Sequence, residues 1–342
     1  MEPFLVAFLT CLILTPSVIR FASRRQWFDI PDERKIHNVQ IPRLGGTAII
    51  SSLLISILLS SGADTLLELR YFLAGLLILF FVGLWDDMQP VSPLVKLLGE
   101  SVPVILITFF NRIPLHSMFP QYEWIQALEW PVTLFLSFWI VNAFNLIDGI
   151  NGLAGTIGIL ALTGMGILGN PVVYQLSYAF AGALLAFLFF NFVKPRIFMG
   201  DCGSLPLGYT LAFGMSHLCY QETSGLPADE PFLVIALMIV PLFDMLRVFV
   251  IRLYYGKNPF RGDRNHLHHL LLESGLSHVS ATSLIALLSI ITTGLVWMVF
   301  HSGIPASMMY SALVPALILP SLIFSGLLWL KVRRIRKNNP SL

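Results

Sequence analysis

Five short polar stretches in an otherwise apolar chain carry residues able to do chemistry. Asp86 and Asp87 are adjacent carboxylates that follow the apolar run Leu76–Trp85 directly. Their mutual repulsion favours a raised pKa on one of them or a bound cation, although a solvated helix end has the same composition. Met199-Gly-Asp201-Cys-Gly-Ser204 sets a carboxylate in a turn of small residues just before another apolar run. Carboxylate oxygens suit a magnesium ion, which keeps several waters and takes one or two protein carboxylates plus substrate phosphates. The N–H groups of the following helix start suit a phosphate, with a plain cap at Ser204 as the simpler alternative. Asn145-Leu-Ile-Asp148-Gly-Ile-Asn151-Gly places Asp148 among glycines and asparagines, where backbone either approaches a ligand closely or simply turns. Arg261-Gly-Asp-Arg264-Asn-His266-Leu-His268-His269 gathers three histidines beside two arginines. Their spacing and the lack of a cysteine pair argue against zinc. They suit a pyrophosphate or a generic basic patch for lipid headgroups. The stretch from Asp29 to Gly46 adds His37 and Arg43. Lys96 and Glu100 (i,i+4) and Asp244 and Arg247 (i,i+3) have the spacing of helix-face ion pairs. Asp244 lies inside an apolar run, where a charge is costly and is usually paired or functional. Pairing with Arg247 is the favoured reading there, while Lys96 stays open as a phosphate contact.

Composition says what kind of elements must position these groups. Hydrophobic residues make up 56% of the 342 and charged ones 12%, against about 25% charged in soluble globular domains. A soluble enzyme, an extended disordered chain and a nucleic-acid binder are excluded. The net charge of +2 is too small to indicate an acidic partner, and three scattered cysteines cannot build a disulfide scaffold or a zinc cluster. A crossing helix needs about 20 mostly apolar residues. Eleven runs are read as spans: Pro3–Phe21, Leu44–Gly62, Tyr71–Trp85, Leu94–Phe110, Trp130–Leu146, Leu153–Leu168, Tyr174–Phe192, Leu205–Tyr220, Phe232–Leu253, Ala281–Phe300 and Met308–Leu330. They are continuous rather than alternating, which argues against a β-barrel. The first has no basic residue ahead of it and no small-residue cleavage site, so it reads as a retained helix.

Of the 21 Lys and Arg residues, only Arg70 and Arg112 fall on the opposite face from the rest. Basic residues stay cytoplasmic, so the amino terminus is expected outside and the carboxyl terminus in the cytoplasm. The expected fold class is all-α, a polytopic integral membrane protein of about 11 transmembrane helices. A single domain over residues 1–342 is expected, with cytoplasmic loops at about 22–43, 86–94, 147–152, 193–204 and 254–280 forming the active site.

Taken in order, these loops resemble the polyprenyl-phosphate N-acetylhexosamine-1-phosphate transferases (glycosyltransferase family 4). The matching residues are Pro42-Arg-Leu-Gly-Gly46, Asp86-Asp87 with Lys96-Leu-Leu-Gly-Glu100, Asn145-Leu-Ile-Asp-Gly-Ile-Asn-Gly152, Phe198-Met-Gly-Asp-Cys-Gly-Ser204 and His266-Leu-His-His269. They cover the chain from about Asp29 to Gly275. The His-x-His-His pattern is closer to the WecA/TagO-like branch than to the related phospho-MurNAc-pentapeptide translocase.

The resemblance implies transfer of a sugar-1-phosphate, GlcNAc-1-phosphate by default, from a UDP-sugar to undecaprenyl or another polyprenyl phosphate. UMP is released, and Mg2+ is required, with Mn2+ as a substitute. It implies a multi-pass protein of the bacterial inner (plasma) membrane whose partners are the lipid and the nucleotide sugar; a homodimer is left open. By resemblance Asp201 matches the magnesium ligand, and Asp86 and Asp87 match an acidic pair of which one member deprotonates the lipid phosphate or assists the metal. Lys96 matches a lysine near the phosphates, and His266, His268 and His269 match the loop that closes on sugar and pyrophosphate. Asp148 and Asn191 match positions lining the nucleotide site. Arg43, His37, Asn151 and Arg264 are expected among the substrate-binding residues. Asn151 departs from the aspartate of many bacterial members. An amide there can hydrogen-bond a uracil edge but cannot carry a proton in catalysis.

A polytopic transporter of an anionic substrate is the rival from another class. It calls for charges near mid-membrane and repeated halves with broken helices, and no repeat is evident. An intramembrane aspartyl protease would share Gly200-Asp201 but needs a Tyr-Asp pair that is absent. A CDP-alcohol phosphatidyltransferase would share Asp148-Gly149 but lacks the later spaced aspartates.

Overall fold

The computed structural model describes residues 1–29, 41–110, 113, 123–221, 230–258, 265–304 and 306–338. Nearly all of them are helical. In chain order the helices are α1 (Glu2–Arg25), α2 (Gly45–Ser60), α3 (Ala63–Met88), α4 (Pro93–Phe110), α5 (Glu129–Ile147), α6 (Leu153–Leu168), α7 (Pro171–Asn191), α8 (Asp201–Gln221), α9 (Glu230–Tyr254), α10 (Leu267–Glu273), α11 (His278–Phe300) and α12 (Ala306–Asn338). A 3-10 turn, Glu123–Leu128, leads into α5. Two-residue strands, β1 (Phe28–Asp29) and β2 (Ile41–Pro42), pair antiparallel with Phe28 opposite Pro42. This is a small departure from the all-α expectation.

Each of the eleven apolar runs lies on a helix; α10 is the additional one, two turns long, in the last polar loop. Among the described residues, seven helices are long and apolar enough to cross a membrane: α1, α3, α5 with its leading turn, α7, α9, α11 and α12. Helices α2 and α6, with 16 residues each, extend about 24 Å at 1.5 Å per residue, short of a hydrocarbon core of about 30 Å. The chain is a nearly all-helical, multi-pass membrane protein. Its outward side chains, such as Phe81, Phe109, Leu322 and Ile323, are apolar, as a bilayer demands.

Helix α8 is the axis of the molecule. Residues 201–219 are all buried, and the helix packs against α2, α3, α5 and α6. A helix covered on every side needs no apolar stripe, so α8 can carry Ser204, Thr210, Ser216 and His217 away from lipid. Around it Tyr209, Phe144, Phe180 and Phe187 form the bulk of the core, and α7 is packed against α1, α2 and α6.

The polar connection after α3 is shorter than expected. Helix α3 runs through Met88 and α4 starts at Pro93, so Asp86, Asp87 and Lys96 sit on helices rather than in a loop. The Val91 N–H donates to Asp86 Oδ1 at 2.8 Å, closing the tight link.

Candidate active site

The first N–H groups of a helix have no partner within it. In α8 those of Asp201 and Cys202 donate to the two oxygens of Asp87, each at 2.9 Å. Asp87, on α3, is therefore the cap of α8, and its side chain is fully buried. The turn into α8 needs Gly200. Its φ is +73°, in the region that side chains disfavour, and a Cβ would lie 2.1 Å from the Arg43 carbonyl oxygen. The Pro42–Gly46 stretch runs beside this turn. Phe198 N donates to Pro42 O at 2.7 Å, Gly45 N to Phe198 O at 2.9 Å and Gly46 N to Met199 O at 2.8 Å. That pairing carries the Arg43 guanidinium to 3.8 Å from Asp87 Oδ1 and 3.8 Å from Asp201 Oδ1.

From the facing helix α4, the Lys96 ammonium donates to Asp86 Oδ2 at 3.3 Å and to Asp201 Oδ2. Glu100, one turn on, instead accepts from Asn142 Nδ2 at 3.1 Å. The lysine's hydrogen bonds thus go across helices to two carboxylates, while its charge still acts on Glu100 at i,i+4. Burial pushes Asp201 upward in pKa. The Lys96 charge, the Asp86 hydrogen bond and Arg43 together outweigh burial and hold Asp201 below the usual carboxylate range. Asp148, at the end of α5, goes the other way. Burial pushes it well above the usual range, Arg43 opposes this, and the Asp201 and Asp87 charges add to it. Two carboxylates of one cluster are therefore shifted in opposite directions, Asp201 downward and Asp148 upward.

The Asp148–Gly152 turn is held by its neighbours. Gly152 N donates to Asn191 Oδ1 at 2.7 Å, and Asn191 Nδ2 donates to Ile197 O at 2.8 Å. Both ends of the buried Asn191 amide are used, so this residue acts as a strut behind the turn. Asn151 N–H donates to His278 Nδ1 at 3.3 Å and its carbonyl accepts from Thr282 Oγ1 at 3.1 Å, tying the turn to α11. His268 packs on the front: its Nε2 lies 2.5 Å from where a Cβ on Gly149 would be. Burial, then the neighbouring His269 and His266, keep His268 well below the usual histidine range, hence neutral. His269 lies against it with ring centroids 4.2 Å apart.

One end of the bundle thus unites Arg43, Asp86, Asp87, Lys96, Asp148 and Asp201, with His268 and His269 over the Asp148 turn. His37 and Arg264 lie outside the described residues. Sequence reasoning missed the ties behind the site. Asn145 Nδ2 donates to Ser204 Oγ at 3.0 Å, Asn142 holds Glu100, and His278 and Thr282 hold Asn151. Two asparagines three residues apart in the apolar α5 were the available signal, since amides in a crossing helix find partners.

Among the described residues, no three His, Cys, Asp or Glu side chains converge as a ready metal cage. Asp86 and Asp201 do converge on a single cation, the Lys96 ammonium. Two hard carboxylates sharing one positive charge form the donor set that suits a divalent ion retaining its waters and reaching for phosphate.

The family model for glycosyl transferase family 4 matches residues 69–218, a stretch that contains Asp86, Asp87, Lys96, Asp148 and Asp201. Relatives extend the likeness over most of the chain. It is 32% identical over 299 residues to a probable undecaprenyl-phosphate N-acetylglucosaminyl 1-phosphate transferase of Bacillus subtilis, covering 84% of this chain and 81% of that protein. It is 32% identical over 307 residues to the decaprenyl-phosphate N-acetylglucosaminephosphotransferase of Mycobacterium tuberculosis, covering 80% and 76%. With the undecaprenyl-phosphate alpha-N-acetylglucosaminyl 1-phosphate transferase of Salmonella typhi it shares 28% over 278 residues, 78% of this chain and 74% of that one.

Proposed function

The chain belongs to glycosyl transferase family 4, among the polyprenyl-phosphate N-acetylhexosamine-1-phosphate transferases, and from that premise we propose that it transfers GlcNAc-1-phosphate from UDP-GlcNAc to undecaprenyl phosphate, releasing UMP and starting a lipid-linked glycan. The observation that carries this reading is Asp201, the first residue of the central helix, held anionic between Lys96, Arg43 and Asp86. Joining two phosphorylated substrates requires charge to be neutralised at fixed points. Lys96 and Arg43 supply fixed positive charge. Asp201 and Asp86 would hold Mg2+, or Mn2+ in its place. Bound there, the ion supplies Lewis-acid stabilisation of the charge developing on the pyrophosphate. Asp86 is the member of the acidic pair assigned to the acceptor phosphate, because its side chain is 19% exposed while both Asp87 oxygens are bonded to α8. Asp148, in the turn against which His268 packs, is assigned to the nucleotide side of the site.

In this reading all eleven apolar helices cross a bacterial inner membrane, the short α2 and α6 by local thinning of the bilayer, with the amino terminus outside and the site on the cytoplasmic face. There an insoluble lipid phosphate and a soluble nucleotide can meet. A transporter would place its charges near the middle of the bilayer; Asp86, Asp87, Asp148 and Asp201 sit at helix ends, and Asp244, inside α9, is taken up by Arg247 and His266.

The test is UMP release by purified protein given undecaprenyl phosphate and a panel of UDP-sugars. Release is expected with UDP-GlcNAc, lost on chelation, restored by Mg2+, and abolished in Asp201→Asn. Undiminished release under chelation rejects the metal assignment, and no release with any donor rejects the transferase reading.

A further inference from the structure

Asp244 is a carboxylate in the middle of an apolar helix, 3% exposed, and it does more than neutralise its neighbour. Its Oδ1 accepts from Arg247 Nε at 3.2 Å and Nη2 at 2.7 Å. Its Oδ2 lies 3.0 Å from His266 Nδ1, and both oxygens lie 3.1 Å from the Leu267 N–H. Arg247 in turn donates to the Asn265 carbonyl. Three successive residues of the histidine loop, Asn265, His266 and Leu267, are thus held by one side-chain pair on α9, through a carbonyl, a ring and an N–H respectively.

We propose that Asp244 and Arg247 are positioning residues for His266: they dock the histidine loop on α9 and keep the ring hydrogen on Nδ1, so that Nε2 is the nitrogen offered to the substrate. This rests on the transferase reading above. An ionised carboxylate only accepts hydrogen bonds, so the ring nitrogen facing Asp244 carries the hydrogen. The other nitrogen, Nε2, is buried and has no hydrogen-bond partner among the described residues. The same is true of Nε2 on His268, whose ring stacks on that of His266 at 5.8 Å and 10° and abuts Gly149 of the Asp148 turn. Buried polar atoms are rarely left unpaired, and here two lie in one stack beside the site. In the neutral ring Nε2 accepts hydrogen. The hydroxyl and acetamido N–H groups of an N-acetylhexosamine supply one; an ionised phosphate oxygen does not. With its hydrogen held on Nδ1 by Asp244, His266 Nε2 is the nitrogen placed to accept from the sugar of the donor.

Asp244→Asn decides the matter. The amide can keep the loop docked by donating Nδ2–H to His266 Nδ1, which moves the ring hydrogen to Nε2. With histidine-selective 15N labelling in detergent and no substrate, His266 is assigned by the signals lost in His266→Asn. The expected spectrum has Nδ1 protonated and Nε2 bare in the wild type, reversed in Asp244→Asn. Turnover per KM for UDP-GlcNAc should fall by about 10- to 100-fold, the range seen when the partner that orients a metal-ligating histidine is removed. In the His266→Asn background the same change should cost nothing further, and Asp244→Glu should restore part of the activity. A bare Nδ1 in the wild type, an unreversed spectrum in the variant, or an additive loss in the double variant overturns the proposal. If Asp244→Asn does not accumulate, the wild-type spectrum alone decides. Because that spectrum is recorded without substrate, failure of the transferase reading and failure of this one are told apart.

Discussion

At the scale of single residues, the adjacent carboxylates Asp86 and Asp87 are equivalent in sequence and opposite in use. Asp87 turns inward and caps α8 with both oxygens; Asp86 closes the link to α4 and meets Lys96. Asp87→Asn would set an amide N–H against a helix N–H, and an unsatisfied buried donor costs about 1–3 kcal/mol. Its melting temperature in detergent is expected to fall together with turnover. Asp86→Asn is expected to lose turnover and melt like the wild type. Thermal unfolding of the two purified variants checks this, and an Asp87→Asn protein as stable as its parent would remove the capping role. Asp244 repeats the Asp87 arrangement at α10, so the same end of the molecule twice uses a carboxylate from one helix to start another.

At the scale of elements, the site depends on how closely α8 starts against its neighbours. Gly200 adopts φ +73° with the Arg43 carbonyl and the Asp87 carboxylate where a side chain would begin. Left-handed backbone costs a non-glycine residue about 1–2 kcal/mol before any clash. Gly200→Ala is therefore expected to reduce both folded yield and activity. Gly62→Ala, where a Cβ meets open space, should leave both unchanged. Size-exclusion profiles of the two variants make the comparison; equal profiles would mean the Gly200 turn can relax. The Asn191 strut belongs to this scale too. Asn191→Ala frees the Gly152 N–H and the Ile197 carbonyl, and is expected to destabilise the protein by about 1–3 kcal/mol, measured by the same melting assay.

At the scale of the whole molecule, α8 is surrounded by protein while α1, α11 and α12 present apolar side chains outward. This places the polar residues of the chain in its centre and at its ends. The proposed crossing pattern puts the end of α2 and the end of α9 on opposite faces. Cys11, Cys202 and Cys219 are all buried, so a membrane-impermeant thiol reagent should find little background. Gly62→Cys is expected to label from outside intact cells, and Tyr255→Cys only after the membrane is opened. The reverse pattern would invert the orientation, and labelling of both from one side would break the proposed alternation of helices.

The amino-acid sequence by itself determined that this chain crosses a membrane, where its helices run and which residue types would do chemistry. Charges and amides in an apolar chain are expensive, so Asp86, Asp148, Asp201, Lys96 and the histidines stand out without any coordinates. Only the tertiary structure decided how those residues divide the work. Asp87 lies 114 residues from the N–H it caps, Asp244 lies 22 from the histidine it holds, and Asn191 turns inward to brace Gly152 rather than outward to a ligand. A carboxylate, whether it caps a helix or meets a substrate, has the same formula. Which it does depends on the hydrogen-bond donors that packing brings within about 3 Å of it, and those come from other helices.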